Sequence, residues 1–96
     1  MSEYITGTEA RNLIETQGAL LIDVRNPPEY ADGSAPGAVN IPVSLIPHKA
    51  NEMDPHRPLI LFCRSGGRSS QAQMILQSMG FDDVKNAGGL NDFLSS

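Results

Sequence analysis

An apolar run, Leu59-Ile60-Leu61-Phe62, stops at Cys63-Arg64-Ser65-Gly66-Gly67-Arg68-Ser69-Ser70, after which Ala72, Ile75, Leu76 and Met79 recur at i, i+3, i+4 and i+7. A short hydrophobic stretch between turn residues reads as a buried strand, and the 3.6-residue spacing that follows reads as a helix over 69–79 packed by one face. A strand that feeds directly into a helix commits the chain to an α/β architecture. In such folds ligands bind outside the carboxyl ends of the strands, where a helix N-terminus offers free N–H groups and the positive end of its dipole. Cys63, the only cysteine, opens that junction.

The remaining segments supply further alternating elements. Tyr4-Ile5 suits a short edge strand. Thr6-Gly7-Thr8-Glu9 has the Thr-x-x-Glu form of a capping box, Ala10, Leu13 and Ile14 form the apolar stripe behind it, and Gly18 is a natural stop. The nearly continuous apolar run Ala19 to Val24 suits a central strand covered on both faces. Asn26-Pro27-Pro28-Glu29 reads as a second helix start, with Asn as cap and Pro at the first helical position. Val39-Asn40-Ile41 is a short strand closed by Pro42, and Pro47 limits any helix over 43–53 to one or two turns. Gly80 is placed to end the helix after Cys63. Asp83-Val84-Lys85 forms a last strand, Gly88-Gly89 a turn, and Leu90 to Leu94 a terminal helical turn. Short strands alternating with helices imply a parallel sheet with helices on both faces.

Ninety-six residues fit one domain spanning 1–96. No apolar run approaches the length of a membrane span, no basic region followed by an apolar stretch opens the chain, and the default expectation is cytoplasmic. A net charge of −4 argues against nucleic acid or an anionic membrane as partner. One cysteine forms no internal disulfide, and with two scattered histidines it matches none of the common zinc spacings, so no metal and no cofactor are expected. Yet Arg64 and Arg68 lie in the Cys63 loop, so a small anion can be bound there against the global sign.

A lone cysteine at a strand end is often only a small buried hydrophobe. Two arginines and two glycines have no packing reason to follow a buried strand, however. If Gly66 and Gly67 take positive φ, successive N–H groups curl inward into an anion cradle with Cys63 at its base. The cradle, the helix dipole and the arginines would then favour thiolate over thiol without a histidine, and the thiolate is the nucleophilic form. Ser65, Ser69 and Ser70 serve equally well as donors to a bound anion or as caps of the helix.

Four elements together resemble the single-domain rhodanese family of sulfurtransferases. They are Leu21-Ile22-Asp23-Val24-Arg25 with Pro28-Glu29-Tyr30, Pro36-Gly37-Ala38-Val39-Asn40-Ile41-Pro42, the Cys63 to Ser69 loop, and Gly80-Phe81 through Val84 to Gly88-Gly89. The resemblance implies about five mainly parallel strands flanked by helices on both faces. It further implies that Cys63 carries a sulfane sulfur as a persulfide, held by the N–H groups of Arg64, Ser65, Gly66, Gly67, Arg68 and Ser69. Asp23 and Arg25 would brace the loop, with Arg25 paired to Glu29. The chain departs from the family pattern at Ser34-Ala35, where relatives often have His-Ile, and at Phe93, where they often have Trp.

The implied reaction moves sulfur from a small anion such as thiosulfate to cyanide or a thiol acceptor, with a thioredoxin-like protein among the candidate partners. Arg64 would attract the anion, and Arg68 suits either that role or a structural one. The alternatives are a persulfide carrier or interaction module, and a cysteine-dependent phosphatase or arsenate reductase. Those last enzymes place the loop arginine six positions after the cysteine. Arg68 lies five after Cys63, and the tighter loop suits a single sulfur atom better than a tetrahedral oxyanion. His48 and His56 read as solvated loop residues.

Overall fold

The computed structural model describes residues 4–96. Four strands, β1 (Leu20–Asp23), β2 (Val39–Asn40), β3 (Leu59–Cys63) and β4 (Val84–Gly89), form one sheet in the order β2-β1-β3-β4, and every pairing is parallel. The helices are α1 (Gly7–Gln17), α2 (Pro27–Ala31), α3 (Ile46–Ala50), α4 (Gly67–Ser78) and α5 (Leu90–Leu94), with a 3-10 turn at Val43–Leu45 before α3. The α/β fold expected from the alternation is present. Four strands stand among the described residues instead of five, because the candidate edge strand at Tyr4-Ile5 makes a single ladder-like bond, Ile5 N–H to the Asn86 carbonyl at 2.9 Å.

All five residues of β3 are buried, which its central place in the sheet requires. Successive side chains of a strand point to opposite faces. Accordingly Leu59, Leu61 and Cys63 pack with Ile22, Val24, Ile46, Ala72 and Leu76 in the layer of α3 and α4. Ile60 and Phe62 pack with Ala10, Leu21 and Phe93 in the layer of α1 and α5. Phe93 stacks on Phe62 with ring centroids 5.8 Å apart, so the smaller aromatic still closes that layer. Burying such a side chain is worth about 1.5–3 kcal/mol.

Local signals set the helix ends. In α1 the Glu9 N–H donates to Thr6 Oγ1 at 3.0 Å while the Thr6 N–H donates to Glu9 Oε1 at 2.9 Å, and Gly18 closes the helix in the left-handed region. At the end of α4 the Gly80 N–H reaches the Gln77 carbonyl and the Phe81 N–H the Leu76 carbonyl, both at 3.1 Å, with Gly80 at φ 93°. That pattern is a Schellman stop, and it turns Phe81 back into the core.

Two expectations need correction. α4 begins at Gly67, two residues earlier than the apolar spacing indicates, because Gly66 alone absorbs the left-handed turn and Gly67 is already helical. Gly88 and Gly89 belong to β4 and do not form a separate turn, since a register shift beyond Leu61 lets Gly89 pair with Cys63. A Cβ at Gly89 would stand 2.5 Å from the Arg64 carbonyl oxygen. The strand can run on beneath the loop only because that residue is glycine.

Candidate active site

From β1 the chain moves outward to β2 and then crosses back to β3 on the other side, which makes the carboxyl ends of β1 and β3 the topological switch point of the sheet. β1 ends there in Asp23, with Arg25 two residues on, and β3 ends in Cys63. The three loop residues between β3 and α4 are Arg64, Ser65 and Gly66. Gly66 sits at φ 101°, and Tyr4 lies directly against the place where a Cβ would project.

Cys63 is only 1% exposed. Burial alone would mark it as an inert core thiol, but polar groups converge on its sulfur. The Gly66 N–H donates to Sγ at 2.9 Å, and Ser69 Oγ lies 3.5 Å away. Burial pushes the thiol up. The Ser69 hydroxyl and the N–H groups of Ser69, Ser65 and Gly66 act against it and hold the thiol below its ordinary value of 9.0. Ser69 is fully buried and bonds to the Gly66 carbonyl at 3.1 Å and to Asn86 Oδ1 at 2.8 Å. It therefore lies under the sulfur, and the helix-cap position is held by Gly66.

The arginines divide their work. Arg68 reaches α2, donating from Nη1 to Glu29 Oε1 at 2.7 Å and from Nη2 to Glu29 Oε2 at 3.1 Å. Arg64 is 76% exposed along its side chain, and its Nε stands 3.5 Å from Glu29 Oε2. The Arg68 bond, helped by the Asn26 N–H, holds the Glu29 carboxyl down at about 2, and the same contact raises Arg68.

Arg25 is not paired with Glu29 as expected. It folds back on Asp23, with Nη2 to Oδ2 at 2.7 Å and Nε to Oδ1 at 2.9 Å, and Nη2 also donates to the Gly33 carbonyl at 2.7 Å. A side chain two residues away on the same strand end reaches it before one on α2 can. Asp23 and Arg25 are both buried, and Ser34, one of the departures from the family pattern, donates to Asp23 Oδ2 at 2.8 Å. The pair braces the 33–34 turn, and Asn40 Nδ2, at the end of β2, donates to the backbone carbonyls of Asp23 and Arg25, both at 2.9 Å. An open pocket of about 250 Å³, lined by Arg25, Arg64, Leu90 and Asn91, adjoins the loop on its Arg64 side.

Asn86 was missed in the sequence because β4 reads as ending at Lys85. A polar residue between Val84 and Ala87, at a position a longer strand would bury, is the signal that could have found it. His48 and His56 stay at the surface, where His56 Nδ1 stands 2.5 Å from Asp82 Oδ2, a contact that raises the imidazole. Among the described residues no group of three or more His, Cys, Asp or Glu side chains is placed to hold a metal ion, and no helix is long and apolar enough to cross a membrane.

Comparison with known proteins gives consistent results. A sulfurtransferase of Allochromatium vinosum is 39% identical, over 93% of this chain and 83% of that protein. The human thiosulfate:glutathione sulfurtransferase is 35% identical, over 84% of this chain and 83% of its own. The structure of a human single-domain sulfurtransferase superposes with a TM-score of 0.82 at 31% identity, covering 100% of this chain and 98% of that one. The rhodanese-like domain family matches residues 6–96, and the chain, with its cysteine at the switch point of a parallel sheet, belongs to that family.

Proposed function

We propose that this rhodanese-family protein is a sulfurtransferase that takes a sulfane sulfur onto Cys63 and passes it to a thiol acceptor or to cyanide. The observation that carries the reading is the convergence of the Gly66 N–H and the Ser69 hydroxyl on a buried Cys63 sulfur held below its ordinary pKa. The Gly66 N–H, fixed in the backbone, stabilises a sulfur anion without reorganising, which is how preorganised electrostatics lowers a barrier. The names of two relatives, one a sulfurtransferase and one a thiosulfate:glutathione sulfurtransferase, support the same chemistry.

In the first half-reaction the Cys63 thiolate attacks the outer sulfur of thiosulfate. A Cys63–sulfur bond forms, the sulfur–sulfur bond of thiosulfate breaks, and sulfite leaves with the electron pair. Sulfite is a good leaving group, so no general acid is required. The terminal sulfur of the resulting persulfide is held by the loop donors. In the second half-reaction an acceptor thiolate or cyanide attacks that terminal sulfur, and Cys63 leaves as thiolate. Ping-pong kinetics follow. Arg64, exposed beside the pocket, draws in the anion, and Arg68 serves as the clamp to Glu29.

Intact mass after incubation with thiosulfate tests the proposal. The expected result is a gain of one sulfur atom, removed by cyanide and absent in Cys63→Ser. No gain in the native protein overturns it, as does Cys63-dependent turnover of a small aryl phosphate.

A further inference from the structure

Three polar partners of the Ser69 hydroxyl, Cys63 Sγ, the Gly66 carbonyl and Asn86 Oδ1, leave little freedom in assigning its hydrogen. The Gly88 N–H donates to Asn86 Oδ1 at 2.8 Å, and a backbone N–H can only donate, so that atom of Asn86 is the oxygen. Ser69 Oγ stands 2.8 Å from the same oxygen, so across that contact Ser69 must be the donor. A hydroxyl carries one hydrogen. Asn86 Oδ1 at 2.8 Å and the Gly66 carbonyl at 3.1 Å both can only accept it, with Asn86 the nearer, so Ser69 can only accept toward Cys63, which suits a neutral S–H donating across the 3.5 Å gap. A thiolate or persulfide anion has no hydrogen to give and instead needs one.

We propose that Asn86 is a positioning residue: it holds the Ser69 hydroxyl hydrogen while Cys63 is neutral and releases it to the sulfur once the sulfur is charged. The turn costs no buried acceptor its last partner. Asn86 Oδ1 keeps the Gly88 N–H, and the Gly66 carbonyl keeps the Ser70 N–H at 2.9 Å. Asn86 Nδ2 donates to Ser70 Oγ at 2.9 Å throughout, which fixes the amide against α4. Only the Ser69 rotor moves, and the proton lost by the thiol goes to solvent. Asn86 and Ser69 are 2% and 0% exposed, so no water competes from the surface. A bond to an ionised partner is worth about twice a neutral one, which gives the hydrogen its reason to turn.

Charged and titratable groups around Cys63 are already engaged elsewhere or lie at the surface. Arg64 and Arg68 face Glu29 on α2, and Asp23 and Arg25 hold each other at the end of β1. Tyr4 lies against Gly66, α3 leaves His48 and Lys49 exposed, and Lys85 on β4 pairs with Asp83. Replacing Asn86 alters none of these charges.

The inference rests on Cys63 as the reacting thiol, and its test needs no sulfur donor, so it fails or holds separately from the sulfurtransferase reading. The rate of Cys63 alkylation by iodoacetamide is followed against pH. Ser69→Ala is expected to raise the midpoint by about one unit, the value of a hydrogen bond to a charged sulfur. Asn86→Ala is expected to lower it by roughly half a unit, since the neutral form loses the nearer of its two competing acceptors and keeps only the Gly66 carbonyl. The double variant should match Ser69→Ala alone. Asn86→Leu, which keeps the volume, replaces the alanine variant if that one does not melt cooperatively. An Asn86 shift in the same direction as that of Ser69→Ala, an equal shift with and without Ser69, or no shift overturns the proposal. In the native protein the Gly88 amide resonance should move with the Cys63 midpoint and stay fixed in Ser69→Ala. A Gly88 signal that does not follow Cys63 overturns it independently of any Asn86 variant.

Discussion

Glu29 and Arg68 meet in a two-point contact, 2.7 Å and 3.1 Å, that ties the helix after β1 to the first turn of the helix after β3. The planar fork of a guanidinium matches both carboxylate oxygens, which a single amide oxygen cannot reproduce. Glu29→Gln should therefore loosen the switch point and lower kcat/KM for sulfur transfer by about tenfold, as small misplacements at a reacting centre do.

The same carboxyl makes a prediction about acid stability. Its value in the folded protein, about 2, lies below the ordinary 4.5. A group depressed by folding contributes its full stability above the unfolded value and loses it as pH falls from 4.5 toward about 2. Over that interval the melting temperature of Glu29→Gln should fall less steeply than that of the native protein. Parallel curves would show that the clamp adds nothing to stability.

Asp23→Ala leaves the Arg25 guanidinium buried without its carboxylate. Breaking such a pair costs about 3–5 kcal/mol, enough to lower the melting temperature of a chain this size by about 10 °C or more. Replacing both partners, as Asp23→Leu with Arg25→Met, should recover much of that loss. Differential scanning calorimetry on the single and double variants measures it.

Gly66 and Gly67, adjacent and identical in sequence, should respond in opposite ways to alanine. At Gly66 the backbone is left-handed and Tyr4 occupies the space, so Gly66→Ala should cost about 2 kcal/mol or more. Tyr4→Ala in that background relieves the contact and leaves the backbone strain. At Gly67 nothing lies within 4 Å of an added Cβ, and the residue is helical. Gly67→Ala should stabilise by about 0.5–1 kcal/mol in chemical denaturation.

Arg64 offers a separation of binding from folding. Its side chain is 76% exposed and held by one contact at 3.5 Å. Arg64→Ala should change stability by under about 0.5 kcal/mol. It should also raise the KM for thiosulfate, by a factor that shrinks as added salt screens the charge. A KM unchanged at low salt would remove Arg64 from the anion's path.

Where the sequence was legible, the signal was short-range. The Thr6–Glu9 capping box, the Gly18 and Gly80 stops, the buried β1 and β3 runs and the Cys63 loop are each written within a few consecutive residues, because hydrogen bonds to the nearest backbone groups and the 2.0 and 3.6 periods decide them. The loop's position at a strand end, and the anion-directed chemistry that follows from it, could be read the same way.

Partners distant in sequence were not legible. Arg68 finds Glu29 across 39 residues and Ser69 finds Asn86 across 17, and each pairing exists only because the sheet order sets β1 and β4 on either side of β3. Local pattern does not distinguish Arg25 bonded to Asp23 from Arg25 bonded to Glu29, or a rim serine from one buried under the sulfur. The amino-acid order thus specifies a thiol at the mouth of an α/β sheet. Tertiary packing chooses which donors reach that thiol and which arginine is left exposed, because hydrogen-bond geometry depends on ångström-scale distances that only the assembled strands define.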